Sequence, residues 1–188
     1  SSDRFLLLRG WLPALNLMLI AFIPGLLLPV FHNSLSDVFI GNIEIPFFAI
    51  VGVGFLLSAL LARFVYREEK TLRVITLGIS LMMVSFILLK ELPAIVTAIL
   101  LGVGLGLVTP EFLLMFVKLS HHCQRGTANT THLLAWETGM SLGVAAACYL
   151  STESSVDAVY HLGRMLTPIA ILFFVLLTYP YFKKKRVR

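Results

Sequence analysis

Six long stretches, each almost free of charged residues, follow one another along this chain with only short polar connections between them. A helix that crosses a bilayer needs about 20 largely apolar residues. The stretches cover residues 12–31, 46–66, 72–89, 93–117, 127–150 and 162–182. In lipid, every backbone N–H and C=O must be satisfied within the protein, so only helices and closed barrels span. The alternating polar pattern of a barrel strand is absent. The first stretch is not a cleaved leader, being too long, without an Ala-x-Ala-like end, and followed by five of its kind. The chain is 58% hydrophobic and 13% charged, against about 45–50% and about 25% in a soluble domain. The expected fold is an all-α membrane protein, a single six-helix transmembrane bundle over residues 1–188.

Orientation follows from Lys and Arg placement. Arg4 and Arg9 precede the first stretch, and Arg63, Arg67, Lys70 and Arg73 crowd the second connection. Lys118 and Arg125 flank the fourth connection, and Lys183, Lys184, Lys185, Arg186 and Arg188 end the chain. The other connections hold only Lys90 and Arg164. Both termini are expected to be cytoplasmic, in a multi-pass protein of a bacterial inner membrane. The net charge of +5 then belongs to loops that face anionic lipid, and no solvated basic face remains for nucleic acid.

Cys123 and Cys148 fall towards opposite ends of the fifth stretch and are not expected to pair. "HHCQR" at 121–125 has metal-ligating residue types, but neighbours in sequence seldom converge on one ion. No metal and no cofactor is expected.

The stretches differ in kind. The third and sixth hold no ionisable residue in their interiors, so they read as outer supports, with Ile79, Met82 and Phe173 expected to face lipid. The first, fourth and fifth carry Asn16, Glu111 and the set Asn129, His132 and Glu137. Gly102, Gly104, Gly106, Gly139 and Gly143 would let helix backbones approach closely, because lipid supplies no hydrophobic drive for helix pairing. The first, second, fourth and fifth stretches therefore read as packed helices lining a pathway. The longest outside loop is 32–45, and 151–161 is the other sizeable one. Helices one to three and four to six can be read as two triplets.

Glu111 and Glu137 carry the chemistry. A rise of about 1.5 Å per residue puts Glu137 roughly 15 Å and Glu111 roughly 12 Å from the inner boundary. A charge at mid-bilayer costs at least about 2.5–3.5 kcal/mol, and desolvation favours the neutral form of a carboxyl. Two such groups on adjacent antiparallel helices suit a proton carrier whose ionisation follows water access. Alternatively each is neutral and only holds packing; Pro110 frees a carbonyl that a protonated Glu111 could satisfy. His132 could relay protons or bond a backbone carbonyl. Trp136 could line a cavity or fill a helix interface, and Asn16 and Asn129 are further cavity candidates. Trp11 is an interfacial anchor.

"RGTANTTHLLAWETGMSLG" at 125–143 resembles the cytoplasmic loop and following helix in the C-terminal half of major facilitator superfamily (MFS) transporters, especially bacterial drug and sugar exporters. "SALLARFVYR" at 58–67 sits where that family's second Gly-x-x-x-Asp-Arg-x-Gly-Arg-Arg loop would lie. Arg63 and Arg67 match it, whereas Ser58, Ala62, Val65 and Tyr66 depart from it. The resemblance implies helices seven to twelve of a twelve-helix transporter, with Arg63, Arg67 and Arg125 in conformational loops. Seven and ten would face the cavity, eight and eleven the moving interface, nine and twelve the outside. The expected activity is alternating-access, proton-coupled export of small organic molecules. Expected partners are the lipid bilayer, a substrate and a proton, and an N-terminal six-helix half or a second chain. "SSDRF" at the start is unlike a natural initiator and favours an excised half.

Two other classes remain. A homo-oligomeric six-helix channel or structural bundle is disfavoured by the acids in the spans. An intramembrane enzyme lacks a Gly-x-Ser-x-Gly motif and metal ligands, so no enzyme is expected.

Overall fold

Apolar stretches without charge leave the backbone no partner but itself, and the chain answers with helices. The computed structural model describes residues 6–33, 37–40, 43–65, 71–89, 91, 93–153 and 156–186. A 3₁₀ turn at Leu8–Gly10 leads into α1 (Trp11–Asn33). Then come α2 (Phe47–Val65), α3 (Thr71–Leu88), α4 (Ala94–Leu119), α5 (Arg125–Glu153) and α6 (Val156–Phe173). A π-helical turn, Phe174–Thr178, carries the last helix into α7 (Tyr179–Lys185). Pro180, which has no N–H for a carbonyl one turn back, lies just beyond that turn. Among the described residues, five helical segments are long and apolar enough to cross a membrane, and the apolar part of α2 is shorter.

Two features depart from the sequence reading. Within loop 32–45, β1 (Asp37–Ile40) pairs antiparallel with β2 (Ile43–Pro46), Ile40 opposite Ile43. In the sequence, Gly-Asn stands between "DVFI" and "IEIP", a pair that favours a hairpin turn. The signal was in the sequence. The 151–161 segment is mostly helix, since α5 runs to Glu153 and α6 begins at Val156. Ser151, Thr152 and Asp157 lie in terminal turns of these helices.

The bundle is organised by two close pairings, α1 against α5 and α2 against α4. Glycine makes both possible. A Cβ at Gly139 would strike the backbone of Met18, coming within 2.8 Å of its Cα. One at Gly143 would stand 3.0 Å from the Cα of Gly25. On the other side, Gly102 faces the backbone of Val51, and Gly106 faces the Phe55 carbonyl and the Ser58 hydroxyl. Lipid competes for apolar side chains as well as protein does, so close backbone contact decides which helices pair.

α3 packs on α4 and α6, and α6 packs on α1. Ile79 and Met82 are both 0% exposed, which corrects their expected lipid exposure. Gly78 and Gly104 bring α3 onto α4, and a Cβ at Gly104 would come within 2.7 Å of Met82 Cγ. The exposed side of α3 carries Leu77 and Ile87 instead. Phe173 is half-buried.

Candidate functional site

Buried polar atoms in an apolar bundle mark where packing alone does not explain the residue. Among the described residues, Asn16 Oδ1, Glu111 Oε2, both ring nitrogens of His132 and Thr178 Oγ1 are buried without a hydrogen-bond partner. Three of these residues are ones the sequence singled out.

Asn16 is completely buried. Its Nδ2 donates to the Ala170 carbonyl of α6 at 3.2 Å. It joins α1 to α6 rather than lining an open cavity. His132 is 5% exposed and sits edge-on to Phe116, ring centroids 5.9 Å apart. The Thr109 backbone lies beside its ring, without the geometry of a full hydrogen bond. His132 thus meets α4 just before Pro110. Trp136 is half-buried against the core, and Asn129 is exposed.

The two carboxylates do not meet. On α5, Ala128, Thr131, Ala135 and Gly139 form the buried stripe. At about 100° per residue, Glu137 points roughly opposite to it. Glu137 is accordingly exposed, in company with Leu133, Leu134, Thr138 and Ser141. Glu111 instead lines a cleft of about 620 Å³ between α4 and α2. Its walls are Leu56, Ala59, Leu60 and Ala62 on α2, with Pro110, Leu113, Leu114 and Val117 on α4. By helical rise, Glu111 is about 12 Å from the end of α4 and Glu137 about 18 Å from the start of α5. The two acids, on helices that touch one another, thus have different surroundings. Periodicity on one helix shows which residues share its face, but not which neighbour that face meets.

Gly104 turns to α3, whereas Gly102 and Gly106 turn to α2, and Gly139 and Gly143 to α1. The α2 leucines of the cleft escaped the sequence reading because nothing in a run of leucines separates a cleft wall from a lipid face.

The connection between α4 and α5 is tied to the residues that precede α1. The Leu7 backbone N–H donates to Thr131 Oγ1 at 2.8 Å, and Arg9 Nη1 donates to His121 Nε2 at 3.1 Å. Gly10 lies under the Phe116 ring. His121 of the "HHCQR" tract therefore engages a guanidinium, and no metal-holding cluster occurs among the described residues. Arg125 is exposed at the start of α5. The Arg63 side chain and all of Arg67 lie outside the described residues. Compared with protein-family models and with curated proteins, the chain finds no match.

Proposed function

We propose that this chain is the C-terminal half of an MFS-type secondary transporter, exporting small organic molecules by proton-coupled alternating access. The observation that carries the reading is the pattern of pairings. Exchanging helices one to three with four to six turns the α1–α5 pair into the α4–α2 pair, and the α3–α4 contact into the α6–α1 contact. Such a network is what two inverted three-helix repeats produce, and transporter sites lie near the midplane where repeats meet.

The placement of the acids supports the same reading. Glu137 stands exposed in mid-helix, where lipid would impose a penalty of at least about 2.5–3.5 kcal/mol. A water-filled cavity, or a second six-helix half covering α5, removes that penalty. In this arrangement Glu137 takes up a proton from the outside-open cavity and releases it inward as substrate leaves, with Glu111 bordering the substrate path.

The test uses the assembled transporter in proteoliposomes under an imposed pH gradient. Glu137→Gln keeps the shape and hydrogen bonding of a protonated Glu, so it should fold normally and lose gradient-driven transport. Glu111→Gln should weaken transport. If both variants transport at the original rate, the carboxyls are packing residues and proton coupling through them is wrong.

A further inference from the structure

Threonine inside a helix commonly returns its hydroxyl to a carbonyl one turn back. Thr76, Thr109, Thr131, Thr138 and Thr167 each donate to the carbonyl four residues earlier, at 2.6–3.2 Å. Thr178 does not: it is 0% exposed, and its Oγ1 is buried without a partner. A buried hydroxyl left unmet calls for a physical reason. The reason is the π-helical turn Phe174–Thr178, in which the Phe174 carbonyl accepts from the Tyr179 N–H, five residues on. Such a bond takes one residue more into the turn than an α-helical one. Pro180 accounts for its place. In a continuous α-helix its ring would press on the Leu176 carbonyl, and it has no N–H to offer there.

The helix is anchored on both sides of the turn. Before it, Asn16 holds the Ala170 carbonyl, and Phe174 packs on Phe112 with ring centroids 5.8 Å apart. After it, Tyr181 meets Trp11 and Phe182 is buried. Were the turn to close into an α-helix, each residue beyond it would move on by one place, about 1.5 Å and 100°. Tyr181 would then take the place of Phe182, and Lys183 and Lys184 those of Lys184 and Lys185. The sequence "YFKKK" at 181–185 thus offers an aromatic for the buried place, and lysines for the last two, in either register.

We propose that the Phe174–Thr178 turn is a register switch between a π form and an α form, with Thr178 Oγ1 donating to the Phe174 carbonyl in the α form. There Tyr181 leaves Trp11, so α7 parts from the start of α1 while Asn16 keeps α6 on α1. The hydroxyl unmet in one register stabilises the other, and Pro180 opposes that other, which holds the two close in free energy. The switch stands independently of the transporter reading.

The experiment measures the distance between spin labels on Cys123 and Lys184→Cys by double electron–electron resonance, in a Cys148→Ser background. Both labelled positions are exposed. The chain is purified with its native assembly intact in phosphatidylcholine nanodiscs. Pro180→Ala supplies the missing N–H and should bring up a second distance, that of the α form, beside the one belonging to the π form. Adding Thr178→Val removes the hydroxyl and should reduce that second population about two- to tenfold, the worth of one hydrogen bond. Deleting Leu176 in the Pro180→Ala background takes out the extra residue and closes the turn in the present register, so only the first distance should remain. Thr178→Val by itself should unfold at an unchanged or higher temperature, whereas Thr167→Val, which loses a bond, should unfold at a lower one. Thermal unfolding also checks that each labelled variant is folded. A single distance in Pro180→Ala would overturn the proposal. So would a second distance that ignores Thr178→Val or survives deletion of Leu176, or a lowered unfolding temperature in Thr178→Val.

Discussion

At the scale of single residues, the glycines are not equivalent. Gly106 faces the Phe55 carbonyl and the Ser58 hydroxyl, whereas a Cβ at Gly52 would meet nothing within 4 Å. Forcing a methyl into a packed interface costs about 1–3 kcal/mol. Replacing an unconstrained helical glycine by alanine gains up to about 1 kcal/mol. Gly106→Ala and Gly139→Ala should therefore unfold at lower temperature in detergent, while Gly52→Ala unfolds at the same temperature or higher. A lower unfolding temperature for Gly52→Ala, with Gly106→Ala unaffected, would mean that the α2–α4 seam lies elsewhere. Both residues stand in glycine-rich apolar runs, and nothing in those runs distinguishes a glycine in a seam from one on an open face.

At the scale of elements, α3 has two faces. Ile79 is 0% exposed and Leu77 is 45% exposed. Truncating a fully buried Ile to Ala costs about 2–5 kcal/mol, and an exposed position away from special features changes stability by about 0.5 kcal/mol or less. Ile79→Ala should then sharply lower the unfolding temperature, with Leu77→Ala near the original. The far end of α3 is held by α6: Arg164 donates from Nε to the Phe86 carbonyl and from Nη2 to the Ile87 carbonyl, each at 3.3 Å. Those carbonyls belong to the last turn, where helices lack internal donors. Arg164→Leu should lose about 1 kcal/mol, and Arg164→Lys should restore part of it, both read by thermal unfolding. An unchanged midpoint in Arg164→Leu would show that water satisfies the α3 terminus equally well.

At the scale of the whole molecule, the bundle has chemically distinct ends. Cys123 is exposed in the connection before α5, and Ser151 is exposed in the last turn of that helix. At about 1.5 Å per residue, Ser151 lies roughly 39 Å along α5 from Arg125, enough to reach both sides of a hydrocarbon core about 30 Å thick. Lys183, Lys184, Lys185 and Arg186 are exposed at the end of the chain, and Trp11 meets Tyr181 edge-on at 6.5 Å. That joins the start of α1 to the basic tail at one end. With this end cytoplasmic, an impermeant maleimide on intact cells should modify Ser151→Cys directly, in a variant whose native cysteines are serine. Cys123, left as the single cysteine, should react only after permeabilisation. The opposite pattern would invert the orientation.

Hydropathy by itself determined that the chain is helical and apolar, because any stretch that excludes charge must bond its own backbone. It also placed Glu111, His132 and Asn16 as exceptions, since a polar residue inside such a stretch is conspicuous however the helices pack. What it left open was direction. Glu111 and Glu137 stand on adjacent helices, yet one borders the α2 cleft and the other faces away from the buried stripe of α5. Ile79 and Met82 have the same composition as lipid-facing residues and are buried. Helix pairing was settled by which glycines meet which backbones, a contact between segments far apart in sequence. Apolar side chains satisfy lipid and protein interior alike, so only the tertiary structure decides which of the two they meet.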